Sequence, residues 1–212
     1  MEYIGNQSLM ILIGGAVAIG AVFGLQIGAV FSVFQAESML GGITGKALCQ
    51  ELGPLVTTVL ITGRAGAAMT AEIATMKVNE QVDAMEAMAV DPISYLVMPR
   101  FVAALVIMPL LCCVFIFVGI IGAYLAGSLL FNVDEGTFMS KISQLIETKD
   151  LWRGISKSFA FSGLMTTICC HFGLKASGGA KGVGNATTNA VVSTLLAVLG
   201  VDVVITYFQM IW

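Results

Sequence analysis

Two long stretches of this chain carry no charge. Between Glu2 and Glu37, and again from Phe101 to Val133, there is no Asp, Glu, Lys or Arg. Either run exceeds the ~20 apolar residues that cross a bilayer as a helix. Only helices or closed barrels satisfy their backbone in lipid, and these runs lack the in-out alternation of barrel strands. Across 212 residues the chain is 58% hydrophobic and 11% charged, where a soluble domain carries about 25% charged residues. The mean hydropathy is +0.94. The reading is an all-α integral membrane protein. A cleaved secretory signal would need a basic start and an apolar core of about 7–15 residues. MEYIGNQS is acidic and the run behind it is too long, so the first run is read as a span.

Five spans are predicted, at about 8–34, 52–74, 98–130, 158–174 and 188–211, which puts the termini on opposite sides. Gly20, Gly24 and Gly28 share one face of the first span, and Gly119, Ala123 and Gly127 repeat the device in the third. Small residues at this spacing let helix backbones approach closely in lipid, in a bundle or a dimer. Pro54 is expected at the start of the second span, where its missing N–H costs nothing. Pro109 is expected to kink the third. The connectors are then 35–51, 75–97, 131–157 and the glycine-rich 175–187. No internal repeat is legible. The ten Lys and Arg residues divide five against five between the two sides, so the positive-inside rule does not orient the chain.

Soluble-enzyme chemistry finds no support. GGITGKA at 41–47 lacks the spacing and the hydroxyl of a phosphate loop, so any ATP that drives this protein is bound, with its Mg, by another subunit. The single histidine, His171, has no nucleophile pattern around it, and HExxH is absent. The five cysteines sit in apolar context, and Cys169-Cys170-His171 lacks zinc-ligand spacing. They read as packed small hydrophobes, with His171 a polar helix-packing residue. No metal, nucleic-acid or cofactor site is expected.

Glu51, Arg64 and Asp202 lie within or at the edge of apolar spans. Such residues pair internally or mark a transport path, and an ion relay through them, as in an ion-coupled secondary transporter or channel, is the alternative reading. Between the second and third spans, EIATMKVNEQVDAMEAMAVDP at 72–92 is acidic and methionine-rich. With Asn79 as N-cap, residues 79–89 form a short amphipathic helix. Val78, Val82, Met85 and Ala89 lie on one stripe, and Glu80, Asp83 and Glu86 fan over the other face. Interfacial helices favour Lys and Arg toward anionic headgroups. An acidic helix points instead to a protein partner with a basic groove.

The block ELGPLVTTVLITGRAGAAMTAEIATMKVNEQVDAMEAMAVDP at 51–92 resembles the signature of MlaE-type permeases, the membrane subunits of Mla/Mce lipid-transport ABC systems. GAVFGLQ at 20–26, PRFVAALVIMPLL at 99–111, SGGAKGVGNATTNAVV and LAVLGVDVVIT extend the likeness nearly end to end. The resemblance implies one permease domain over 1–212 in the bacterial inner membrane, with a periplasmic C-terminus. It implies a homodimer bound to cytoplasmic ABC ATPase subunits, with a small STAS-domain regulator on the ATPase and a periplasmic Mce-domain protein. It implies no bond chemistry in this chain. Asn79, Glu80, Gln81, Asp83, Ala84, Met85, Glu86 and Met88 would then form the ATPase-coupling helix. A phospholipid or related lipid would meet Phe23, Val30, Phe31 and Phe34 on the first span and Glu51 and Leu52 on the second. Lys157 and Asp202 would serve headgroups or an internal salt bridge. Gly20, Gly24 and Gly28, with Arg64 and Glu72, are read as structural. Where some relatives carry bases, this chain has Gln50, Asn185 and Asn189. The resemblance also implies an amphipathic elbow helix ahead of the first span, whereas this chain opens almost at that span.

Overall fold

The computed structural model describes residues 2–211, with side chains from Ser8 onward. Nine α-helices occur among them and no strand: α1 Glu2–Ser32, α2 Leu40–Ala47, α3 Gly53–Ile61, α4 Ala67–Val78, α5 Gln81–Ala87, α6 Met98–Phe131, α7 Glu135–Leu145, α8 Thr148–Leu174 and α9 Gly179–Ile211. Among the described residues, four helical stretches are long and apolar enough to cross a membrane: Ser8–Ser32, Glu37–Val78, Ile93–Phe131 and Gly179–Ile211. The chain is an all-helical, multi-pass membrane protein. α8, which holds the expected fourth span, is not among the four, because Lys149, Asp150, Arg153 and Lys157 dilute its first half.

The second expected span starts earlier than predicted. Most of the supposed connector 35–51 is helical, and α2, α3 and α4 run on through two π turns, Leu48–Leu52 and Thr62–Gly66. Pro54 is therefore not at a helix start. A proline inside a helix lacks an N–H and presses on the carbonyl four residues back. The π turn before it inserts an extra residue, and the Gly53 N–H reaches back to the Leu48 carbonyl. The same device recurs at Pro99, which follows the π turn Ile93–Val97, where the Met98 N–H bonds to the Ile93 carbonyl. α9 likewise begins at Gly179, so most of the expected loop at 175–187 is helical. Gly178 and Gly179, at φ 89° and 68°, make the turn. Val183 and Ala186 then pack on Ala74, Val78 and Ala176.

By its internal contacts the chain divides into two compact units, Met1–Ser8 with Thr58–Met108 and Phe159–Trp212, and Leu9–Thr57 with Pro109–Ser158. The second unit consists of two segments built alike. Each runs long helix, turn with one non-glycine residue at positive φ (Gln35, 52°; Asn132, 47°), short helix, interruption and helix. The two segments lie parallel and in register. A Cβ added at Gly20 would strike the Gly119 carbonyl, and one at Gly24 would sit 2.9 Å from the Ala123 carbonyl oxygen. At Gly41 it would meet Phe138 at 2.8 Å, and at Gly45 Ile146 at 2.6 Å. The two small-residue rows thus face each other, and Leu40, Ala123, Val133 and Phe138 form a core at the turn end. This likeness of halves, which the amino-acid order does not display, resides in backbone and contacts.

In the other unit, α4 packs on α8 and α9. Thr70 Oγ1 donates to the Cys169 carbonyl at 3.1 Å, and a Cβ on Gly173 would meet Ile73 at 2.8 Å. Cys169 Sγ lies 3.8 Å from Thr194 Oγ1. Four cysteines are buried and all five are free thiols. His171 is on an exposed face of α8 rather than in a helix contact, its ring edge-on to Phe172.

Overpacking a well-filled contact costs about 1–3 kcal/mol. Gly20→Leu is expected to destabilise the protein by at least that much, because the obstacle is backbone. Gly14, with nothing within 4 Å of an added Cβ, should accept alanine and gain up to about 1 kcal/mol. Unfolding in detergent, followed by circular dichroism, checks both.

Candidate functional site

The π turn Leu48–Leu52 and the α7–α8 interruption at 146–147 lie at matching places in the two like segments, and charge gathers there. Lys157 is fully buried, and its Nζ donates to Glu51 Oε2 at 2.5 Å. The Glu51 side chain remains 41% exposed. A buried ammonium is tolerated only when paired and hydrogen-bonded. Glu51 is held at that spot because the π turn re-registers the helix just before Pro54. Above the pair, Asp150 is 3% exposed. Its Oδ1 accepts from Gln50 Nε2 at 2.6 Å and its Oδ2 from the Glu147 backbone N–H at 3.0 Å. Lys46 Nζ lies 3.6 Å from Oδ2. At Gly154 an added Cβ would run into the Cys49 carbonyl, so the helices touch backbone to backbone.

The structure brings Glu51 and Lys157 together, so of the two roles expected for Lys157 it shows the internal salt bridge. Leu52 follows in the same π turn, half-buried. Phe23 and Phe31 are half-buried on α1. Val30 (58% exposed) and Phe34 (73%) stand out at its end, Phe34 in the turn beyond the helix rather than on the expected helical face. Asp202, on α9, and Arg64, inside the π turn Thr62–Gly66, belong to the other unit. Both have interaction partners. Lys46, Gln50 and Asp150 were missed as members of this cluster. Asp150 had a readable signal, since an acid at the third helical position reaching back to the N-cap N–H is half of a capping box.

The acidic helix is shorter than predicted. α5 covers Gln81–Ala87, and Asn79 is not its N-cap. Asn79 closes α4, and Glu80 enters α5 at φ 58° with no side-chain cap. Ala89, also at φ 58°, drops out of the apolar stripe. Val82 is buried and Met85 half-buried, whereas Glu80, Gln81, Asp83, Ala84, Glu86 and Met88 are exposed. Asp83 is not free, because Lys77 Nζ bonds to it at 2.5 Å. The Ser94 hydroxyl at 2.6 Å and the Ile93 and Ser94 backbone N–H groups at 3.2 Å hold the Asp91 carboxyl below the usual carboxylate range. A depressed carboxylate stabilises above its unfolded pKa, and the effect is lost as pH falls through the folded value. The π turn that follows is gripped by Arg100, which donates to the Leu96 carbonyl at 2.7 Å and to Glu72 at 3.1 Å. Beside it an open groove of about 600 Å³ is lined by Ala68, Ala71, Glu72, Thr75, Met76 and Gln81. No group of three or more His, Cys, Asp or Glu that could hold a metal occurs among the described residues.

Removing one partner of a buried pair costs about 3–5 kcal/mol. Because Glu51 is itself part-exposed, that figure is an upper bound: Glu51→Gln is expected to destabilise by about 1.5–3 kcal/mol, and the double variant Glu51→Gln, Lys157→Met to recover most of it. A double-mutant cycle on denaturant unfolding in detergent measures this directly.

A family model described as Permease MlaE matches residues 1–208. The intermembrane phospholipid transport system permease protein MlaE of Haemophilus influenzae is 40% identical over 97% of this chain and 79% of its own length. A probable ABC transporter permease protein of Synechocystis sp. is 38% identical over 93% and 75%. One of Porphyra purpurea is 35% identical over 97% and 78%.

Proposed function

Because the chain belongs to the MlaE permease family of ABC transporters, we propose that it moves phospholipid or a related lipid between the bacterial inner membrane and a periplasmic Mce-domain carrier. The reading is carried by the match over 97% of the chain to a relative named for intermembrane phospholipid transport. In this reading residues 1–212 act as one permease domain that crosses the membrane five times. α7 and α8 together make the fourth passage, running parallel to α2–α4, and the C-terminus is periplasmic. Two copies form the working permease. ATP and Mg are bound by a separate ATPase, on which a small STAS-domain regulator sits, and this chain catalyses no bond chemistry.

α5 is the coupling helix in this account. Its acids Glu80 and Glu86, with the Lys77–Asp83 pair, meet a basic groove on the ATPase. Force passes through the Asp91-capped turn and the π turn Ile93–Val97 to Arg100 and Glu72. Phe23, Val30, Phe31, Phe34 and Leu52 supply apolar surface for acyl chains. The open edge of Glu51, its charge matched from behind by Lys157, gives that surface a polar limit. Asp202 is carried as a further headgroup or bridging group.

Purification from native membranes is expected to bring down an ABC ATPase, and Asp83→Lys with Glu86→Lys to abolish ATP-dependent lipid transfer by at least tenfold. Mass spectrometry of the purified permease should find co-purified phospholipid. No ATPase, or full transfer by the double variant, overturns the coupling. A second reading is ion-coupled transport using Glu51, Arg64 and Asp202, charged residues placed within or at the edge of apolar stretches. That reading requires lipid or solute flux in proteoliposomes under an ion gradient without ATP, where the ABC reading requires none.

A further inference from the structure

The Glu51–Lys157 pair depends on two interrupted helices keeping their ends in step, and one side chain touches both interruptions. We propose that Asp150 is a positioning residue, which clamps the π turn Leu48–Leu52 to the α7–α8 break and thereby aligns Lys157 with Glu51. Its two carboxylate oxygens divide the work. Oδ1 takes the Gln50 amide from inside the π turn, and Oδ2 takes the Glu147 N–H that opens α8, with the Lys46 ammonium at 3.6 Å. Asp150, Gly154 and Lys157 fall on one face of α8 at helical spacing. Clamp, backbone contact and ion pair are thus stacked over about 10 Å of one helix. At 3% exposure Asp150 has little solvent to replace a lost partner. Its removal would leave the Gln50 amide and the Glu147 N–H unmet and free the π turn to shift register. Lys46, at 45% side-chain exposure, contributes less, because water screens it.

The inference deepens the transport reading, on which its functional meaning rests, but the clamp can be tested without lipid or ATPase. The full-length protein in detergent is labelled with an N-hydroxysuccinimide ester, and each lysine is quantified by peptide mass spectrometry. Exposed Lys149 and part-exposed Lys141 serve as references. In the wild type Lys157 should label far more slowly than either. Asp150→Ala is expected to speed Lys157 labelling about tenfold by local opening, with Lys141 and Lys149 unchanged and unfolding still cooperative. Asp150→Asn, which keeps an acceptor for the Glu147 N–H but offers no charge to Lys46, should fall between, and Lys46→Gln should stay near wild type. Lys157 protection in Asp150→Ala equal to the wild type overturns the proposal. So does a uniform rise at every lysine with loss of cooperative unfolding, which would make Asp150 a general stabiliser only. Either result leaves the transport reading standing, while absence of bound lipid or ATPase overturns that reading and leaves the clamp intact.

Discussion

An ammonium with no solvent contact governs this structure. A buried ammonium in a membrane protein needs polar partners, and Glu51, which pairs with Lys157, sits in the π turn just before Pro54. The π turn is the geometric answer to a proline within a long helix, and it also turns a carboxylate toward the neighbouring helix. The same unit holds the break at 146–147, the backbone contact at Gly154, and the glycine faces that let two like segments lie parallel. Helix association in lipid has little hydrophobic drive, so close backbone approach and a few satisfied polar groups must hold these helices together.

Much of this was legible in the residues. The charge-free runs gave α1 and α6, the glycine rows gave faces that pack closely, and the acidic stretch after Glu72 gave a short amphipathic helix too short to span. What escaped is non-local. The first turns of α8, up to Lys157, read as a mixed-charge connector because Lys149, Asp150, Arg153 and Lys157 are counted as exposed until a partner helix is known to satisfy them. The π turns escaped because periodicity assumes one residue spacing, although Gly53-Pro54 and Met98-Pro99 mark two of the three. The likeness of the two segments escaped because equivalent positions differ in kind. Gly41 faces Phe138, and the sum of the two volumes is what fits. Asn79 was misassigned because capping chemistry alone does not register that α4 runs on to Val78.

The other unit shows how a surface helix can be tied to the bundle. α5 is set off by two residues in left-handed backbone, Glu80 and Ala89, a conformation that costs non-glycine residues energy. Its Asp83 is held by Lys77, and the chain re-enters the bundle through a capped turn and a π turn gripped by Arg100. Under the proposed coupling role, these contacts are what would carry a push on α5 into the bundle.

The most direct test of the account is a charge swap. Glu51→Lys, Lys157→Glu and the two together are compared for ATP-dependent lipid transfer in proteoliposomes containing the permease and its ATPase. If this pair is the element on which transport rests, each single reversal sets two like charges side by side, one of them fully buried, and transfer falls to background. The double reversal should recover transfer to within about an order of magnitude of the wild type. Single reversals that transport as the wild type does would contradict the account.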